Sequence, residues 1–226
     1  MKHEAIIFDM DGVLIDSEGF WATAEREVFG ALGVPLTTAL TKQTATMTTA
    51  EVTKFWYELA PWPDRSLAAV ENDVIDYVEA QIRQKGKAIE GIEDVLELFF
   101  KGGFKIGLAT NAPYRLVPVV LEKLKISRYF SVLSAAEFEA KGKPDPAIYL
   151  HTANKLQLSP SACIVVEDSR SGLIAAKKAG MTTVFLDRLG SFDNSMSELV
   201  DLRITSFAEF IAHQSLLPPS SQGQNP

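Results

Sequence analysis

Four short clusters hold the residues of this chain that could do chemistry: Asp9-x-Asp11-Gly12, Thr110-Asn111, Lys143-Pro144-Asp145-Pro146 and Glu167-Asp168-Ser169. Paired carboxylates beside a turn can ligate a cation, move a proton or attack an electrophile. On their own they can equally close an Asx-type turn after a strand. Thr110 and Asn111 offer a hydroxyl, an amide and backbone N–H groups, although polar residues after strands commonly cap the next helix. Lys143 sits on a loop that Pro144 keeps out of helix, because a residue before proline is pushed to extended backbone. The plain alternative there is a solvated surface turn. Glu167 and Asp168 are adjacent carboxylates that repel each other and lose hydration unless a cation or donors compensate. An N-cap at Asp168 is the competing reading.

What positions these clusters is an alternation of strands and helices. A short apolar run ends at Asp9 and reads as a buried parallel strand, after which Gly12 breaks the pattern. Phe104 to Ala109 leads into Thr110, and Ala162 to Val166 leads into Glu167. Further strands are expected at Val132 to Ser134, Thr183 to Leu186 and Leu202 to Thr205. Between them the spacing predicts helices over Glu93 to Lys101, Tyr114 to Leu124, Pro146 to Leu156, Arg170 to Ala179 and from Phe207. Repeated β-α units imply an α/β fold with a parallel sheet and helices on both faces. In such sheets ligands gather beyond the carboxyl ends of the strands, where three of the clusters fall, with Lys143-Pro144-Asp145-Pro146 on a loop before a helix.

The segment from 17 to 87 follows another rule. Ser17 is a candidate N-cap, and Phe20, Ala24, Val28 and Leu32 recur at helical spacing until Gly33-Val34-Pro35. A helix is expected around Glu51 to Leu59. A longer one starts at Asp64 and runs through Leu67, Val70, Val74, Val78 and Ile82 to Gly86. No strand pattern occurs between Thr37 and Gln84, so this stretch reads as an inserted helical unit.

Composition narrows the classes. At 226 residues, 46% apolar and 23% charged, the chain can bury a sizeable core. A net charge of −7 argues against non-specific binding to nucleic acid or anionic membrane. Cys163 is the only cysteine, so no internal disulfide forms, in keeping with a reducing cytoplasm. No apolar stretch approaches the roughly 20 residues needed to span a bilayer. The last stretch, LLPPSSQGQNP, has little to bury and is expected to be disordered.

The order D-x-D-G, T-N, K-P-D-P, E-D-S, with a helical insert after the first motif, resembles the haloacid dehalogenase superfamily over nearly all of residues 4–213. FDMDGVLIDSE, Trp21 and Phe55-Trp56-Tyr57 look most like its bacterial sugar-phosphate phosphatases, such as hexitol and 2-deoxyglucose-6-phosphate phosphatases, and like β-phosphoglucomutase-like proteins. The resemblance implies a Rossmann-like core over 1–16 and 88–213, an all-helical cap over 17–87 and a tail over 214–226. It also implies a magnesium-dependent phosphatase of small phosphate monoesters, sugar phosphates among them, working through an aspartyl-phosphate.

Under that resemblance Asp9 is the nucleophile, and Asp11 protonates the leaving oxygen and then deprotonates water. Asp9, Asp168 and the backbone carbonyl of Asp11 hold Mg²⁺, with Glu167 a further or water-mediated ligand. Thr110 and the Asn111 N–H bind phosphoryl oxygens, Lys143 balances charge, and Gly12 allows a tight turn beside the phosphate. Asp11 argues against dehalogenase and phosphonatase chemistry. A phosphosugar mutase remains an alternative, against which stands Trp21, where β-phosphoglucomutases carry histidine. A non-catalytic binding protein on the same fold is the other. Where related sugar phosphatases carry small-Leu-Arg in the cap, this chain has Thr46-Met47-Thr48. Trp21, Met47 and Phe55 are candidates for an apolar cap face or for the core of the helical unit. The two crossings, Ile15 to Glu18 and Lys87 to Gly91, are expected to hinge, with Gly91→Pro as the test. The expected partner is a small-molecule phosphate ester, without nucleic acid or membrane, for a monomeric cytoplasmic enzyme.

Overall fold

The computed structural model describes residues 3–44, 47–213 and 216, and the statements below concern those residues. The strand β1, Ala5–Phe8, is four apolar residues with no exposed surface. Such a strand needs cover on both faces and both edges, and it has them. The sheet contains β2 (Lys105–Thr110), β3 (Val132–Ala135), β4 (Cys163–Glu167), β5 (Thr182–Leu186) and β6 (Leu202–Ile204), in the order β3-β2-β1-β4-β5-β6. Every pairing is parallel. Alternation divides β1 between two cores. Ile6 and Phe8 join one that includes Leu96 and Phe99, while Ala5 and Ile7 join one built with Ile148, Tyr149 and Ala175.

Register decides which residues meet at the carboxyl edge. Phe8 pairs with Leu108 on one side and Val166 on the other, and the Asp9 N–H donates to the Val166 carbonyl at 3.0 Å. The next residues along the three central strands are therefore Asp9, Ala109-Thr110 and Glu167. The chain turns to opposite sides of the sheet around β1, the switch point at which open α/β sheets form a crevice.

Between β1 and β2 the chain forms α1 (Glu18–Ala31), α2 (Thr38–Thr44), α3 (Thr49–Leu59) and α4 (Leu67–Lys85). The long helix α4 buries Val70, Val74, Ile75, Val78 and Ile82. An aromatic group of Phe29, Trp56, Tyr57 and Trp62 holds α1 and α3 together, with ring centroids 4.9 to 6.2 Å apart. α3 starts in a capping box in which Thr48 and Glu51 satisfy each other's backbone N–H groups. The rest of the sheet is flanked by α5 (Ile92–Lys101), α6 (Leu116–Leu124), α7 (Ala147–Lys155), α8 (Arg170–Lys178) and α9 (Phe207–Ala212).

Several expectations are adjusted. α2 lies in a threonine-rich stretch without helical periodicity, which hid it. The long helix begins at Leu67 behind a Ser66 cap rather than at Asp64, whose backbone is left-handed (φ 63°). The two crossings run side by side: Ile15 and Ala88 form an antiparallel bridge, and the Ile89 N–H donates to the Leu14 carbonyl at 3.0 Å. Gly91 has φ 82°, and a Cβ there would sit 3.1 Å from Phe207. Proline is confined to φ near −65°, so Gly91→Pro would break the start of α5 rather than stiffen a hinge. Apart from Leu216, the 214–226 tail lies outside the described residues, as does Thr46.

Candidate active site

Lys143 organises the floor of the site. The side chain of Asn111 clamps its loop, Oδ1 accepting from the Lys143 N–H at 2.9 Å and Nδ2 donating to the Lys143 carbonyl at 3.4 Å. The following Lys143-Pro144 bond is cis. From this anchor Nζ donates to Asp9 Oδ1 at 2.6 Å, Glu167 Oε1 at 2.6 Å and the Ala109 carbonyl at 2.9 Å. The lysine is 5% exposed, so these are contacts of a buried cation, not of a surface turn. Burial favours its neutral form, but the charges of Asp9 and Glu167 prevail and hold its pKa above the usual lysine range.

Glu167 is fully buried and saturated. Oε1 accepts from Lys143 and from the Tyr149 hydroxyl at 2.6 Å, while Oε2 accepts from the Ser169 hydroxyl at 2.9 Å and its N–H at 3.3 Å. Gly172 leaves room for this carboxylate, since a Cβ there would overlap it at 1.8 Å. The N-cap of α8 is Ser169, which accepts from the Gly172 N–H, and not Asp168. Asp168 instead packs against the backbone of Gly12. A Cβ at Gly12, where φ is 72°, would fall 1.7 Å from Asp168 Oδ2. The glycine thus admits a carboxylate as well as a tight turn.

Asp11 lines the same site two residues after Asp9. Its Oδ1 accepts from the Ser17 hydroxyl and from Trp21 Nε1, the latter at 2.9 Å. Ser17 occupies the N-cap position of α1 but makes no side-chain cap bond there, because its hydroxyl is turned to Asp11. Burial raises the Asp11 pKa, opposed by the bonds from Ser17 and Trp21. Burial likewise pushes Asp9 up to about 7, with Glu167 and Asp11 adding to the effect and Lys143 opposing it. Thr110 is buried, and its hydroxyl accepts from the Ala112 N–H at 3.0 Å while keeping its proton to donate. It does not cap α6, whose N-cap residue is Arg115.

Asp9, Glu167 and Asp168 each offer a carboxylate oxygen, all within 4.8 Å of one another. Several carboxylates around one buried ammonium leave excess negative charge in a low-dielectric site, and hard oxygen donors at that spacing suit a divalent cation such as Mg²⁺. The donor set therefore fits the expected metal.

Above the floor lies a cavity of about 790 Å³. Asp9, Asp11, Thr110, Asn111, Lys143 and Asp168 line it from the sheet, and Trp21, Glu25, Thr41 and Met47 from the helical unit. Phe55 is not among its lining residues and packs edge-on against Trp56 at 5.0 Å. Sequence reading missed Ser17 as a partner of Asp11 and Tyr149 as a partner of Glu167. The first was masked by its capping position, and the second gives no local signal in the middle of α7. It also passed over Glu25, although Trp21 to Glu25 is the four-residue step that shares a helix face.

Comparison with known proteins agrees with this arrangement. A family model for haloacid dehalogenase-like hydrolases matches residues 3–180. Hexitol phosphatase B of Escherichia coli (strain K12) is 32% identical over 213 residues, which is 94% of this chain and 96% of that protein. A phosphorylated carbohydrates phosphatase of Thermotoga maritima is 34% identical over 182 residues, 80% of this chain and 84% of that protein. The crystal structure of CbbY from Rhodobacter sphaeroides in complex with phosphate superimposes with a TM-score of 0.81 at 25% identity, covering 92% of this chain and 96% of that one. Motif order, sheet topology and these relatives agree: the chain belongs to the haloacid dehalogenase-like hydrolases.

Proposed function

We propose that this protein is a magnesium-dependent phosphatase that hydrolyses small phosphate monoesters, sugar phosphates among them, through an aspartyl-phosphate on Asp9. The observation that carries the reading is the buried Lys143 ammonium bridging Asp9 and Glu167, with Asp11 across the same cavity. A phosphate monoester resists attack because its anionic oxygens repel a nucleophile, so the site must supply positive charge and alignment. Asp9, Asp168 and the Asp11 carbonyl would hold Mg²⁺, which when bound neutralises charge on the phosphoryl oxygens. Glu167, whose oxygens already accept from Lys143, Tyr149 and Ser169, would act on the metal through its charge or through water.

The chain's own residues supply the rest. An Asp9 oxygen attacks phosphorus as the ester P–O bond breaks, and Asp11 gives its proton to the departing alcohol oxygen. Its raised pKa suits that duty near neutral pH. Asp11 then takes a proton from water, whose oxygen attacks phosphorus and frees Asp9 with release of phosphate. Thr110 and the Asn111 N–H bind phosphoryl oxygens, and Lys143 keeps Asp9 ionised and aligned. The turn at Gly12 brings backbone and Asp168 together beside the phosphate.

Residues 17–87 act as a cap whose α1 reaches the core through Trp21 and Asp11. Trp21 donates at the position where a mutase would need a proton acceptor, which disfavours that alternative. Among the described residues no helix is long and apolar enough to cross a membrane, and the one cysteine is a buried free thiol, which supports a cytoplasmic setting.

The test is phosphate release from p-nitrophenyl phosphate with and without Mg²⁺. Wild type should turn over only with the metal and lose activity to EDTA. Asp9→Asn should lower kcat at least about a thousandfold, as removal of a nucleophile does. An Asp9→Asn variant that still releases phosphate at the wild-type rate would refute the assignment.

A further inference from the structure

Glu25 lies one helical turn beyond Trp21 on α1, and both side chains line the cavity above Asp9 and Asp11. Among the described residues no donor or cation reaches its carboxyl, although the side chain is only partly exposed. Burial alone pushes its pKa up to about 7. A carboxyl taken out of water without a partner is costly, and a cavity wall that retains one is suited to a ligand that brings the missing donors. The surrounding wall carries the hydroxyls of Thr37, Thr41 and Thr44 beside the apolar Met47. Of the cations that line the same cavity, Lys143 is bound to Asp9 and Glu167 in the floor, and Arg26 and Lys42 are exposed.

Resting on the phosphatase reading above, we propose that Glu25 is a specificity-determining residue: its carboxylate accepts hydroxyl groups of the leaving alcohol and repels leaving alcohols that carry a second negative charge. The favoured substrate class is then a monophosphate of a neutral polyhydroxy alcohol. A hydroxyl donor meets an acceptor that no protein donor reaches among the described residues, whereas a ligand carboxylate meets a like charge in a partly desolvated cavity. Sites built to hydrogen-bond a hydroxyl discriminate strongly against ligands lacking it, because the protein group is then left unpaired.

The experiment compares kcat/KM for a hexitol 6-phosphate, p-nitrophenyl phosphate and phosphoglycolate, each with Mg²⁺, in wild type, E25Q and E25L. Wild type should prefer the hexitol phosphate to phosphoglycolate. In E25L the ratio of hexitol phosphate to p-nitrophenyl phosphate should fall at least tenfold, mostly through KM. E25Q is nearly isosteric, so it answers even if E25L does not fold. It should keep most of that ratio and gain at least threefold on phosphoglycolate relative to p-nitrophenyl phosphate. Ratios within twofold of wild type in the folded variants, or a wild type that prefers phosphoglycolate, would overturn the role of Glu25 and leave the phosphatase reading standing. A wild type that turns over none of the three esters would overturn both.

Discussion

At the strand ends the charged groups hold one another in place. Lys143 is gripped by Asp9, Glu167 and a backbone carbonyl, and Glu167 by Lys143, Tyr149 and Ser169. In the helical unit facing them, Glu25 has no such grip among the described residues, and threonines, Met47 and the exposed Arg26 and Lys42 line the wall with it. The floor is a network in which each group's position is set by several others, as a site that must align a phosphoryl transfer requires. The wall leaves polar capacity unfilled, as a surface that meets a variable leaving group requires. Among the contacts between the two regions, Ser17 and Trp21 of the helical unit both donate to Asp11 of the core, which ties substrate choice to the proposed chemistry.

The contrast can be broken most forcefully from the floor. Lys143→Met leaves Asp9 and Glu167 buried without their cation, and removing one partner of a buried pair costs about 3–5 kcal/mol. Urea denaturation without metal should show that loss, and saturating Mg²⁺ should recover part of it. Stability equal to wild type without Mg²⁺ would mean that the network does not hold the floor together.

The junction between the regions should respond less. Trp21→Phe removes the indole donor while keeping an aromatic ring, and kcat should fall about tenfold, equivalent to ~1.4 kcal/mol. The indole bond holds the Asp11 pKa down. Its loss should therefore move the alkaline limb of the kcat/KM profile to higher pH, because Asp11 must be protonated to act as an acid. A profile that stays in place would mean the indole is packing only.

The smallest effect comes from the wall and is read as stability against pH. The folded Glu25 binds its proton more tightly than the unfolded one. Its contribution is therefore complete below its ordinary value of 4.5 and is lost as pH rises toward about 7. Glu25→Gln should match wild type at acid pH. Near neutrality and above it should be more stable by about 1 kcal/mol, allowing for solvent around a partly exposed group. A difference that does not change with pH would show that Glu25 is well solvated.

Much of this was legible in the residues, for reasons that differ by region. Buried parallel strands are apolar runs and their carboxyl ends carry polar residues, so β1, β2 and β4 and the clusters after them stand out along the chain. The helical unit was legible as helical but not as a wall. Its short α2 lacks apolar periodicity. Which face of α1 meets the cavity depends on how α1 packs against α4. A helix cap stood as the competing reading of Asp168 until Ser169 was seen in that place. Phe55 read more readily as core and Trp21 as either core or cap face, and packing sent Phe55 to the aromatic core and Trp21 to Asp11.

The amino-acid sequence by itself determined the alternating fold and the order of the strand-end motifs, because local periodicity and turn chemistry are written in neighbouring residues. Only the tertiary structure decided that Lys143 bridges Asp9 and Glu167, that Ser17 serves Asp11 rather than its own helix, and that Glu25 lines the cavity. Those facts join residues as many as 134 positions apart. They depend on strand register and helix rotation, which no stretch of sequence specifies alone.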